Sequence, residues 1–93
     1  MDLLKDKHDQ ILAIAQRHGV TRIKVFGSVA RDQAQPTSDV DFLVEVGPHP
    51  SPRFPGGLVA DLEELLNRPV QVVTERALND LIRDRVMAEA VPL

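Results

Sequence analysis

A chain of 93 residues sits at the small end of the range for one domain, where folding buries only about 60 to 70 % of the unfolded surface, so a single modest core is expected. Cysteine is absent, which excludes a disulfide framework, a thiolate metal site and a thiol nucleophile, and leaves only an oxygen-ligand metal open. The net charge of -3 and the dispersed basic residues argue against affinity built on a phosphate backbone, so direct nucleic-acid binding is not expected.

Only Phe26, Phe42 and Phe54 are aromatic, so the core must come from Leu, Ile and Val, which suits helices packed on a sheet. Leu4, Ile11, Leu12 and Ala15 recur at helical spacing and predict a helix from Asp2 to His18, stopped by Gly19. Arg22 to Phe26 alternates basic and apolar residues, and Val40 to Val46 is rich in β-branched and aromatic residues; both read as strands. Between them, Ser28 to Ala34 has a helical look and Pro36-Thr37-Ser38 forms a turn. Pro48, Pro50, Pro52 and Pro55 exclude helix and central strand from Gly47 to Gly57, leaving a loop that is a candidate lid or partner-binding edge. Leu58, Leu62, Leu65 and Leu66 predict a second amphipathic helix ending before Pro69, and Val70 to Val73 a third strand. Thr74 is placed to cap a last helix that turns Leu78, Leu81, Ile82 and Val86 inward. The expected fold is α/β (α+β), a small mixed sheet of at least three strands with helices packed on it, in one domain over residues 1–93. The chain has no apolar run of leader-peptide or membrane-span length, so a cytoplasmic protein is expected.

Asp39 and Asp41 are two apart on a strand, which points both carboxylates to one face. At a Cα separation of roughly 6 to 7 Å they suit one divalent ion, or a pair of ions about 3.5 to 4 Å apart. Val40, Phe42, Val44 and Val46 belong to the opposite face, while Leu43 shares the face of the carboxylates. Separated from Asp39 by ten intervening residues, Gly27-Ser28 stands where a strand gives way to a helical turn, with backbone N–H groups and a hydroxyl suited to phosphate oxygens. Arg31, one turn on, adds a positive charge for the same phosphates, although it equally suits a pairing with Asp32 or Asp39. Singly, each fragment is most often a turn or an exposed strand end. Together, with strands on both sides, they point to a nucleotide held between phosphate donors and metal-bridged carboxylates.

The run Val25-Phe26-Gly27-Ser28-Val29-Ala30-Arg31, followed by Ser38-Asp39-Val40-Asp41-Phe42-Leu43-Val44, resembles the DNA polymerase β-like nucleotidyltransferase superfamily. More narrowly, the chain is similar to the minimal nucleotidyltransferases (MNT) over nearly its whole length, including the close from Arg83 to Leu93. That resemblance implies the polymerase β-like nucleotidyltransferase core, with Gly27 and Ser28 holding the triphosphate and Asp39 and Asp41 binding Mg2+. It also implies ATP as substrate, a HEPN-type toxin as partner, an antitoxin role in a toxin-antitoxin pair, and transfer of AMP to a tyrosine of that partner (AMPylation).

One position departs from the family pattern. The third carboxylate is expected from the next strand, and in Pro69-Val70-Gln71-Val72-Val73 its place is taken by Gln71. An amide oxygen can meet a metal or hydrogen-bond a ligand, but it cannot take a proton from an attacking hydroxyl, a role worth typically about 10²- to 10⁴-fold. This leaves an alternative in which the chain neutralises its partner by binding alone. A transferase acting on RNA or a small molecule ranks last, for want of an acceptor domain or a basic surface. Glu45 shares the carboxylate face but lies four residues beyond Asp41, roughly 13 Å by strand rise. Glu63 and Glu64 read as a solvated helix face, and His8, His18 and His49 as incidental.

Overall fold

The strand β2 (Val40–Val46) lies inside a mixed four-stranded sheet in the computed structural model, which describes residues 2–31 and 39–93. It runs antiparallel to β1 (Val20–Phe26) on one side and parallel to β3 (Val70–Thr74) on the other. The two-residue strand β4 (Val91–Pro92) pairs with Val25 and Lys24 on the outer edge of β1, giving the order β3-β2-β1-β4. This fourth strand is too short to carry any periodicity of its own.

Burial along β1 follows from a bulge. Val20 and Ile23 have opposite parity, yet both are buried, because the register against β2 slips by one residue between Val20 and Arg22. Thr21 is the extra residue, and its hydroxyl donates to the Glu45 carbonyl at 3.0 Å.

The sheet is covered on both faces. On one, Val40, Phe42 and Val44 join Ile23 and Val25 against α2 (His8–Arg17) and α4 (Gly56–Leu66), through Ile11, Ile14, Leu58, Leu62 and Leu66. Phe42 is fully buried there, a burial worth roughly 1.5 to 3 kcal/mol. On the other face, Leu43 packs with Leu78 and Val86 under α5 (Asp80–Glu89). Leu43, the apolar exception on the carboxylate face, is thus the floor of a second small core.

Three helical expectations change. The first helix breaks at Lys7 into α1 (Asp2–Asp6) and α2, in the stretch between Leu4 and Ile11 where no apolar side chain holds it to the core. Thr74 caps only a 3-10 turn (Glu75–Ala77), accepting from Ala77 N at 3.3 Å. Asn79 caps α5 instead, accepting from Leu81 N at 2.8 Å. This later start turns Leu81 (90 % exposed) and Ile82 (46 %) outward rather than inward. The rest of the Ser28–Ala34 segment beyond α3 (Gly27–Ala30) and Arg31, and the turn at Pro36-Thr37-Ser38, lie outside the described residues.

The Pro-rich loop is tied down rather than loose. Gly47 N donates to Gly19 O at 2.9 Å and Ser51 N to His18 O at 3.2 Å. His18, which pattern alone marked as incidental, is buried, with Nδ1 2.7 Å from Ser51 Oγ and Nε2 2.8 Å from Asp61 Oδ2. Gly19, at φ +80°, permits this approach, since a Cβ there would stand 2.7 Å from both His49 O and Pro50 Cα. The hydrogen bond from His18 holds the Asp61 carboxyl below its ordinary range. A carboxyl depressed in the folded state contributes stability above its unfolded pKa of about 3.9 and loses it as pH falls through the folded value. Asp61→Asn is therefore expected to destabilise the chain at pH 7, with the gap from the unaltered chain narrowing as pH falls below the unfolded value of about 3.9, as read by denaturant unfolding across that range. No helix among the described residues is long and apolar enough to cross a membrane.

Candidate active site

The end of β1 and the starts of β2 and β3 meet at one end of the sheet, because β1 is antiparallel to β2 and β2 parallel to β3. Phe26 is in register with Asp41, and Asp41 with Gln71. Position 71 is thus placed directly beside Asp41, on the neighbouring strand, as the sequence pattern requires. Asp39 and Gln71 are exposed, while Asp41 is half-buried.

Gly27 closes the gap between the first strand and these carboxylates. It adopts φ +75°, and a Cβ built on it would collide with Asp41 Oδ2. Two separate physical demands, left-handed backbone and close approach of a carboxylate, therefore fall on this one residue. Ser28 follows in α3, half-buried, with Val29 anchoring that short helix in the core.

The electrostatics of Asp41 fit a cation. Burial raises its carboxyl above the ordinary range, the neighbouring Asp39 raises it further, and Arg31 pulls it partly back. With the folded value raised, ionisation of Asp41 works against the ligand-free fold as pH climbs through that value. A divalent ion would reverse the sign. Among the described residues no group of three carboxylate or imidazole side chains is gathered as a complete metal cage. Two carboxylates suit magnesium nonetheless, because that ion commonly keeps waters and takes its remaining ligands from substrate phosphates.

The partner seen for Arg31 among the described residues is Glu89. Arg31 Nη1 stands 2.6 Å from Glu89 Oε1, and Glu89 Oε2 also accepts, at a long 3.4 Å, from the Gly27 backbone N–H. The Arg31 guanidinium holds the Glu89 carboxyl below the ordinary range, with Gly27 N–H and Arg85 adding to the effect. Glu89 is the site neighbour that sequence reasoning missed, being 58 residues from Arg31. One signal was present: a carboxylate in the last turn of a helix faces the negative end of the dipole and needs an outside partner.

The other acidic candidates lie elsewhere. Glu45 is beyond the middle of β2, 3.8 Å from Arg22. Glu63 is not simply solvated: it accepts from Val70 N at 3.1 Å and so secures the start of β3. Asp32 and Ser38 lie outside the described residues.

Comparison with known proteins bears on the family and the fold. Residues 8–93 match the model of the nucleotidyltransferase domain family. A candidate protein adenylyltransferase of Methanocaldococcus jannaschii is 42 % identical over 82 residues, covering 88 % of each chain. The protein adenylyltransferase MntA of Thermococcus cleftensis is 38 % identical over 78 residues, 84 % of this chain and 79 % of its own. Among solved structures, one described as a candidate minimal nucleotidyltransferase superposes with a TM-score of 0.86 at 40 % identity, over 100 % of this chain and 97 % of that one. A toxin-antitoxin complex with AMP-PNP shares the fold, with a TM-score of 0.76 at 19 % identity over 90 % of this chain and 69 % of that one. With a family model spanning all but its first seven residues and relatives this close over most of its length, the chain belongs to the nucleotidyltransferase domain family, in its minimal form.

Proposed function

We propose that this chain is the antitoxin of a toxin-antitoxin pair, that it binds Mg-ATP between Gly27-Ser28 and Asp39-Asp41, and that it transfers AMP to a tyrosine of a HEPN-type toxin. The observation that carries the proposal is the contact of Gly27 with Asp41, which leaves no room for a Cβ and sets a phosphate-binding turn against a carboxylate whose charge is unfavourable without a cation. Relatives named as protein adenylyltransferases support the reaction class, and the fold shared with toxin-antitoxin complexes supports the partner.

In this scheme Asp39 and Asp41 hold the ion, and Gly27, Ser28 and Arg31 orient the triphosphate for in-line attack. Magnesium, when bound, supplies charge neutralisation at the phosphoryl oxygens. The tyrosine oxygen forms a bond to the α-phosphorus, the bond from the α-phosphorus to the bridging oxygen breaks, and pyrophosphate leaves. Gln71 cannot take the hydroxyl proton, which passes to solvent, so positioning rather than base catalysis supplies the rate. That same residue favours a second scheme, in which the chain neutralises its partner by binding with the chemistry impaired.

Intact mass of the partner toxin after incubation with the chain and Mg-ATP separates the two. A gain of one AMP per toxin, mapped to a tyrosine, is expected; an unmodified toxin that is still neutralised would leave the binding scheme standing.

A further inference from the structure

We infer that Glu89 is a resident anion in the phosphate subsite, and that a nucleoside triphosphate must displace it and the chain end attached to it. This rests on the proposed nucleotide site.

Glu89 contacts two of the groups assigned to the triphosphate, Arg31 through Nη1 and Gly27 through its N–H. Its carboxylate presents two oxygens to a guanidinium and an amide, the same acceptor chemistry that a phosphate offers. Within α5 the negative end of the helix disfavours a carboxylate in the last turn while Arg85 favours it, and the strongest support for its charge comes from outside the helix, from Arg31. Its side chain is 25 % exposed, so water screens its charge only in part and a second anion at the same donors is still repelled. An entering triphosphate therefore meets like charge at the position it needs. Arg31 and the Gly27 amide are meanwhile held in place, ready for an anion, at the cost of a competitor.

Displacement has a mechanical consequence. Glu89 is the last residue of α5, and Val91 and Pro92 pair with β1 at Val25 and Lys24, just before Gly27. Leu93 N adds a hydrogen bond to Ile23 O at 3.3 Å. These few bonds at the sheet edge are what a departing Glu89 pulls upon, so nucleotide binding loosens β4 and exposes the outer edge of β1.

The test is titration of the unaltered chain and Glu89→Gln with the magnesium complex of a non-hydrolysable ATP analogue, with AMP as the short-tail control. Glu89→Gln is expected to bind the analogue about tenfold tighter, the scale of one charge-assisted hydrogen bond that no longer has to be broken first. AMP, which lacks the β and γ phosphates, should change far less. A merely structural Glu89 predicts the opposite sign, because Arg31 and α5 would lose their hold; weaker or equal binding by the variant overturns the inference while leaving the nucleotide site intact. Binding by neither chain overturns both. Hydrogen exchange on the unaltered chain supplies a second readout that does not depend on the variant folding. The amides of Ala90, Val91 and Leu93 should exchange faster with the analogue bound, and unchanged or slower exchange there would also overturn the inference.

Discussion

Asp39→Ala with Asp41→Ala is expected to abolish AMP transfer while making the ligand-free chain more resistant to heat. The two effects have one origin. Asp41 is half-buried, its charge is disfavoured by burial and by Asp39, and Arg31 offsets this in part. Removing both carboxylates relieves the repulsion, so the melting temperature without ligand should rise. The same change removes the ligands of the ion, whose charge stabilisation is worth several kcal/mol, or at least about 10³-fold in rate. Thermal unfolding with and without Mg-ATP, beside the toxin mass assay, reads both. The unaltered chain should gain stability from Mg-ATP and the double variant should not. Unchanged Mg-ATP affinity in the double variant would show that the nucleotide sits elsewhere.

Gln71→Asp is expected to act in the other direction, raising the transfer rate by roughly 10²- to 10⁴-fold, the range of a general base. Position 71 is in register with Asp41 on a neighbouring parallel strand, about 4.8 Å away, so a carboxylate there falls within reach of the same ion. Because Gln71 is exposed, the substitution leaves the core undisturbed. A third negative charge should lower the melting temperature of the ligand-free chain, and Mg2+ should restore it. Single-turnover transfer to the toxin, measured for both chains at equal occupancy, decides the matter. An unchanged rate would mean that proton removal does not limit transfer, and that Gln71 is no impairment.

Much of the fold was legible because its central elements follow period and composition. Val40 to Val46 has the bounds expected of it, and Pro48 through Pro55 did keep residues 47–55 out of regular structure, although α4 begins at Gly56, inside the loop expected to run to Gly57. What escaped had no local signal or had a competing one. β4 is two residues long and exists only because β1 has an edge to offer. The outward turn of Leu81 and Ile82 depended on which of two capping residues, Thr74 or Asn79, began the helix. At the site, position 71 was named by the family pattern, and its register with Asp41 was visible only in the sheet. The contacts of Arg31 and His18 with Glu89 and Asp61 join residues far apart in sequence, and no spacing rule encodes them.

The row formed by Phe26, Asp41 and Gln71 is a single rung of the sheet. Main-chain hydrogen bonds set the width of a rung, whichever side chains fill the layer beneath. The core can therefore drift from one hydrophobic residue to another while the distance between Asp41 and its neighbour stays constant. A ruler cut into the peptide repeat, rather than one assembled from packed side chains, is a measure that even a very short chain can keep.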